Sequence, residues 1–184
     1  MDEATRTNLR KFYTHERDAQ TQAYHRLMAE TEQPVDWAYE VWDDLLTGLH
    51  HKDNHVRSIS AQLLCNLAKS DPDNRMRSDF DALLAVTKDE RFVTARHCLQ
   101  ALWKIGLAGE QQRKMLLEGL TRRYHESAAE KNGTLIRYDI LVGMRNLYDA
   151  AGGEDIRERA LALIEAETDP MYRKKYAGVW KGAG

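Results

Sequence analysis

Apolar positions recur along this chain at three- and four-residue intervals, the period of an α-helix, in blocks that come in twos. Within 35–70, Trp37, Val41, Leu45, Leu46 and Leu49 form one stripe while Asp36, Glu40, Asp43 and Asp44 hold the opposite face. Gly48 and the polar run His50, His51 and Lys52 break that period. Asp53 is then placed to cap a second helix, whose stripe runs through Val56, Ile59, Ser60, Leu63, Leu64 and Leu67. Neither helix can hide its stripe alone, so the two must pack on each other and then on a neighbour.

The same alternation predicts further pairs at 73–107, 110–151 and 154–181, after the first at 35–70. Their helices are expected over 74–87 and 89–106, 110–130 and 134–150, and 154–167 and 169–181. Pro34, Pro72 and Pro170 all fall at these boundaries, the last in the first turn of a helix capped by Asp169. Gly106, Gly109 and Gly152-Gly153 suit left-handed helix stops, and Gly143 in mid-helix points to a close helix crossing. Ahead of the pairs, Leu9, Phe12, Tyr13, Ala19, Ala23, Leu27 and Met28 keep an approximate helical period. Residues 1–33 therefore read as one capping helix laid over the first pair, within a single domain of 1–184.

Leu45-Leu46 before a loop, then Asp53, Val56 and Arg57 opening a helix, is an order of residues that resembles the HEAT repeat. Leu116-Leu117-Glu118-Gly119-Leu120 echoes Leu45-Leu46-Thr47-Gly48-Leu49, and Ile136-Arg137 stands where Val56-Arg57 stood. Asp169, Tyr172 and Arg173 repeat the motif. In the 73–107 pair, Leu83-Leu84 and Asp89 are present, with Val93 at the arginine position or Arg96 displaced from it. The resemblance implies an all-α fold, a right-handed α-α superhelix (HEAT-like solenoid) of about four helix pairs with an N-terminal capping helix. It also implies that the second helices line the concave side, and that Arg57, Arg137 and Arg173 each bond to an Asp of an adjacent repeat.

Composition changes this picture little. The chain has 184 residues, 30% of them charged and 8% aromatic, as suits one helical domain. It has no apolar run long enough for a spanning helix, and 1–11 lack the apolar core of a signal peptide, so the expectation is a cytoplasmic protein with no membrane partner. Cys65 and Cys98 lie in mid-helix beside apolar stripes without Cys-x-x-Cys spacing, and read as small buried side chains.

Candidate chemistry is sparse. His50, His51 and His55 with Asp53 have metal-ligand types, but they straddle a loop and Asp53 is needed as a cap. His15, Glu16 and His25 lack the one-face spacing of a zinc protease. No metal and no cofactor is therefore expected. There is no Gly-x-Ser-x-Gly and no phosphate-cradling loop after a strand, so the reading is non-catalytic. The architecture is also similar to that of HEAT-like alkylpurine DNA glycosylases, whose pattern implies an Asp one turn from a Trp. The residues four beyond Trp37, Trp42, Trp103 and Trp180 are Val41, Leu46, Leu107 and Gly184, so no catalytic residue transfers.

Charge is sorted by helix. The second helices (53–69, 89–106, 132–151 and 169–181) total +5 and the first (36–49, 73–87, 110–131 and 154–167) total −7, and setting aside Arg57, Arg137 and Arg173 reduces the +5 to +2. The expected function is a binding or scaffolding module whose concave face holds a protein or peptide partner, an acidic one preferred. The expected contacts are Gln62, Asn66, Gln100, Lys104, Tyr138, Arg145 and Lys174. The alternative is a nucleic-acid binder or glycosylase relative using a mildly basic groove.

Overall fold

A computed structural model describes residues 1–14 and 16–183. His15, read above with Glu16 and His25, and Gly184, which closes the small-residue tail, lie outside the described residues. The described chain is all-helical, with ten α-helices and no strand. It divides into two compact units, Met1–Ala101 and Leu102–Gly184. No described helix is long and apolar enough to cross a membrane.

The first unit holds α1 (Glu3–Lys11), α2 (Arg17–Glu30), α3 (Ala38–Gly48), α4 (Asn54–Leu67), α5 (Met76–Ala85) and all but the last residue of α6 (Phe92–Leu102). The segment expected as one capping helix is a hairpin of two. Thr14 Oγ1 donates to the Lys11 carbonyl, and Gln20 Nε2 donates to the carbonyls of Phe12 and Thr14 at 2.8 Å each, so the orphan acceptors of the first helix end are met by the second. This hairpin lies beside the next one. Tyr13 donates to the Asp44 carbonyl of α3, Tyr24 reaches α4, and α2 packs along α4. Further on, α3 packs on α5, Asn54 and Ser58 of α4 hydrogen-bond Thr94 and His97 of α6, and Cys98 of α6 donates to the Leu83 carbonyl of α5. First helices thus meet first helices, and second meet second.

Burial follows from that order. With neighbours on several sides, α4 is buried from Ser58 to Ala68 except at Gln62, well beyond its predicted stripe. Trp42, absent from the predicted stripe of α3, is fully buried, and its indole donates to Asp79 of α5 at 2.9 Å. Cys65 and Cys98 are both buried, as expected. Gly48 is the last residue of α3, in right-handed helix: a Cβ there would overlap Ser60 Oγ of α4, so the glycine serves a close crossing.

The second unit opens with a 3-10 turn, Trp103–Leu107, followed by α7 (Glu110–Glu126), α8 (Gly133–Ala151), α9 (Glu154–Glu165) and α10 (Pro170–Val179). Again α7 packs on α9 and α8 on α10. Gly109, Gly152 and Gly153 have positive φ, as their role as stops requires. Gly106 does not. A Cβ on Gly106 would come within 2.7 Å of Leu147 Cδ2, so this glycine allows the 3-10 turn to lie against α8.

Salt bridges join neighbouring hairpins at their loops. Arg57 grips Asp89 with both carboxylate oxygens, at 2.6 and 2.9 Å, and donates to the His51 carbonyl six residues before it. Arg137 reaches Glu167 at 2.9 Å and not an Asp of the adjacent pair, while Asp169 caps α10 through the amides of Met171 and Tyr172. Arg173 closes the series on the Glu167 carbonyl, again six residues back, and not on an adjacent Asp. The sequence reading missed one rung: Arg17 of α2 donates to Asp53 at 2.9 Å. Asp53, Asp89 and Asp169 each accept an amide two residues on, at 2.9, 2.8 and 2.8 Å. Burial pushes the Asp89 carboxyl up, but Arg57 and the Arg91 amide outweigh it and hold its pKa below the usual value.

A polar groove on the second helices of the first unit

The exposed flanks of α2, α4 and α6 enclose a cavity of about 380 Å³, bounded by Tyr24, His25, His55, Gln62, His97 and Gln100 with Ile59 beneath. A hydrogen-bond chain crosses its three helices. Tyr24 donates to Gln62 Oε1 at 2.8 Å, and Gln62 Nε2 donates to the Ser58 carbonyl at 3.1 Å and to Ser58 Oγ at 3.2 Å. Because a carbonyl only accepts, the Gln62 amide has one orientation. Ser58 Oγ then lies 3.0 Å from His97 Nδ1. The Ser58 hydroxyl has one hydrogen and two lone pairs, so it can donate to a neutral ring at Nδ1 or accept from it.

Electrostatics favour that neutral ring. Burial of His97, then the positive charge of Arg96 and of His55, lowers its pKa from the ordinary imidazole value. Burial likewise raises the Tyr24 phenol, so it stays a donor across the physiological range. The groove lining contains no carboxylate among the described residues.

Two of the predicted contact residues, Gln62 and Gln100, meet in this groove. Asn66, expected to face solvent, is a correction: it is fully buried, with Nδ2 bonded to the Met28 carbonyl at 3.2 Å and to Thr31 Oγ1 at 3.0 Å, because α2 covers that flank of α4. The other four belong to the second unit. Lys104 is half-buried in the 3-10 turn, beside a half-buried Trp103, and Lys174 is exposed on α10. Tyr138 is half-buried under Lys175, whose Nζ lies 4.9 Å from the ring centroid. Arg145 is engaged by Asp149 at 2.7 Å, by the Val179 carbonyl at 3.1 Å and by the face of Trp180.

Sequence reasoning missed Tyr24, Ser58 and His97. The segment holding α2 reads as a cap and nothing in the sequence singles out Ser58 or His97, so nothing draws the three together. His50, His51 and His55 do not converge as ligands. His51 Nδ1 instead accepts the Asp53 amide at 3.0 Å, and Asp53 is occupied by Arg17 and the His55 amide. Among the described residues no three His, Cys, Asp or Glu side chains group as a metal site would require.

Comparison with family models finds no match for the chain, and comparison with curated proteins finds none either.

Proposed function

We propose that the chain is a non-catalytic binding or scaffolding module, a HEAT-like solenoid that holds a protein segment along its second helices. Side-by-side hairpins within each unit and the recurring loop salt bridges support the solenoid. The observation that carries the binding reading is the groove on α2, α4 and α6, where glutamine, histidine, serine and tyrosine stand on a rigid, cross-braced surface. Gln100 offers an amide, both donor and acceptor, which is what a peptide backbone presents in return, and Gln62 keeps a second lone pair on Oε1. Since Gln62 is held in one rotamer by Tyr24 and Ser58, docking costs little ordering entropy.

Phosphate tracking is the weaker alternative. Arg57, Arg137 and Arg173 are spent on carboxylates and carbonyls in the loops, and Arg145 on the end of α10. The test is panning of a displayed random-peptide library against the protein and against a Gln62→Ala, Gln100→Ala variant. Enrichment of peptides that lose binding to the variant is the expected result. No such enrichment would overturn the reading. Binding of a labelled duplex with a steep salt dependence would replace it with the nucleic-acid one.

A further inference from the structure

The second helices of the other unit present a surface of a different kind. Leu135 of α8 is 36% exposed and Met171 of α10 is 66% exposed. Single exposed apolar side chains are ordinary on a protein surface, but these two belong to one spot. Leu135 stands one turn before Tyr138, and Met171 one turn before Lys174 and Lys175, so each shares a helix face with those residues. The two faces meet where Lys175 Nζ lies 4.9 Å from the Tyr138 ring centroid. Beneath them is a braced floor: the rings of Tyr138 and Tyr172 lie 6.4 and 6.1 Å from that of buried Tyr176, whose hydroxyl donates to the Thr134 carbonyl at 2.8 Å.

Charge on this spot has one sign. From Pro170 to Val179, α10 carries Arg173, Lys174 and Lys175 and no carboxylate. Neighbouring acids are committed elsewhere: Glu167 to Arg137, Asp149 to Arg145 and Asp169 to the amides that open α10, while Asp139 is buried. Among the described residues neither Lys174 nor Lys175 takes part in an ion pair. We propose that Leu135, Tyr138, Met171, Lys174 and Lys175 dock an acidic peptide segment of a partner protein, with its carboxylates on the two lysines and an apolar side chain against Leu135 and Met171. The proposal rests on the reading of the second helices as the partner-holding side. It assigns them a second contact, on residues separate from the groove on α2, α4 and α6.

Chemistry decides among anionic occupants. A nucleic-acid strand needs open ring faces for its bases, but Lys175 covers the Tyr138 ring and Tyr172 is half-buried against Tyr176. An anionic membrane is held by clusters of about 4–8 Lys or Arg, and two lysines beside an Arg173 turned onto the Glu167 carbonyl fall short of that. A peptide segment brings carboxylates and apolar side chains together, which is the combination this surface complements. Lys175 already rests on Tyr138, so it loses less freedom when a carboxylate arrives than an unsupported lysine would.

The experiment pans a displayed random-peptide library against the wild-type chain, a Lys174→Glu, Lys175→Glu variant and the Gln62→Ala, Gln100→Ala variant. The expected result is a class of peptides rich in Asp and Glu interleaved with apolar residues, which the lysine variant loses and the glutamine variant keeps. By fluorescence anisotropy such a peptide should bind the lysine variant at least roughly tenfold more weakly than the wild type. Met171→Ser, with both lysines intact, should weaken it roughly tenfold. Both variants should keep the wild-type far-UV spectrum and melting midpoint, since the exchanged side chains are exposed. Enriched peptides that depend on Gln62 and Gln100 alone would overturn this inference and leave the groove reading standing. Lysine-dependent peptides that are not acidic, or acidic ones indifferent to Met171→Ser, would overturn it as well. Lysine-dependent sedimentation with phosphatidylserine vesicles, without any lysine-dependent peptide, would identify a lipid surface and so refute the peptide.

Discussion

Helices α4 and α8 hold the same place in their hairpins and use their polar residues in opposite ways. At the groove on α2, α4 and α6 the polar groups are braced side to side, Tyr24 to Gln62 to Ser58 to His97. On α8 three polar side chains turn onto α10 or the turn before it: Arg137 on Glu167, Tyr138 under Lys175, and Arg145 on the Val179 carbonyl and the Trp180 ring. The reason lies in α10. It has ten residues, below the roughly 12–15 needed for marginal stability alone, and within the helix it buries only Tyr176. It is held by side-chain anchors, whereas α4 has packed helices on several sides and can leave polar groups for a ligand.

If that contrast is right, anchors of α10 carry the largest single energies. Trp180 is 5% exposed, donates to the Leu141 carbonyl at 3.2 Å and stacks near Tyr148. Trp180→Ala should cost about 3–5 kcal/mol, as for other large buried aromatics, read by urea denaturation and by loss of near-UV ellipticity. A loss under about 1 kcal/mol would show that α10 docks without its terminal anchor and would break the comparison.

The loop salt bridges come next. Arg57→Ala removes a bidentate grip on Asp89, which is itself mostly buried, and should cost about 1–3 kcal/mol. Lys174→Ala, on the exposed face of α10, should stay within about 0.5 kcal/mol. Equal effects would mean that Arg57 contributes surface charge and not a joint between hairpins. Gly48→Ala follows at about 1–3 kcal/mol, since the added methyl must displace Ser60 across the α3–α4 crossing. A Ser60→Ala, Gly48→Ala double variant should recover part of it, and failure to do so would place the strain elsewhere.

What the sequence makes legible is the element whose signal is local. The Asp53 and Asp169 caps, the Gly152-Gly153 stop and the span of α8 lie within a residue or two of expectation, because capping and glycine dihedrals are decided by adjacent residues. The resemblance implied a bond from Arg57 to an Asp of the next pair, and Arg57 does bond to Asp89. What escapes is decided by neighbours distant in sequence. Asn66 looks like an exposed polar residue until α2 covers it, and the break after Lys11 depends on Gln20 reaching back across the turn. Gly48 and Gly106 carry the same residue type as a helix stop but answer to Ser60 and Leu147. The groove was half visible, in Gln62 and Gln100. Its histidine and tyrosine required knowing that α2, α4 and α6 run side by side.

The smallest effect is the one that best separates the two regions, because it needs no contact to be broken. The pKa of His97 in the folded chain lies below its ordinary value, so as pH falls through the usual imidazole range the unfolded chain takes up a proton that the folded chain refuses. Stability contributed by neutral His97 is therefore full above that range and declines as pH falls toward the folded pKa. Asp53 and Asp89 are shifted down as well, but as acids, so their contribution is full above the usual carboxylate range and is lost only as pH falls below it. The first window opens at the usual imidazole value and the second only at the usual carboxylate value. His97→Gln should flatten the slope of denaturation midpoint against pH between about 7 and 5 and leave the acid limb unchanged, whereas Asp89→Asn should do the reverse. A slope near neutrality that survives His97→Gln would mean that the ring is not held neutral by its surroundings, and the groove of the first unit would then lose the feature that distinguishes it from the charged anchors of α8.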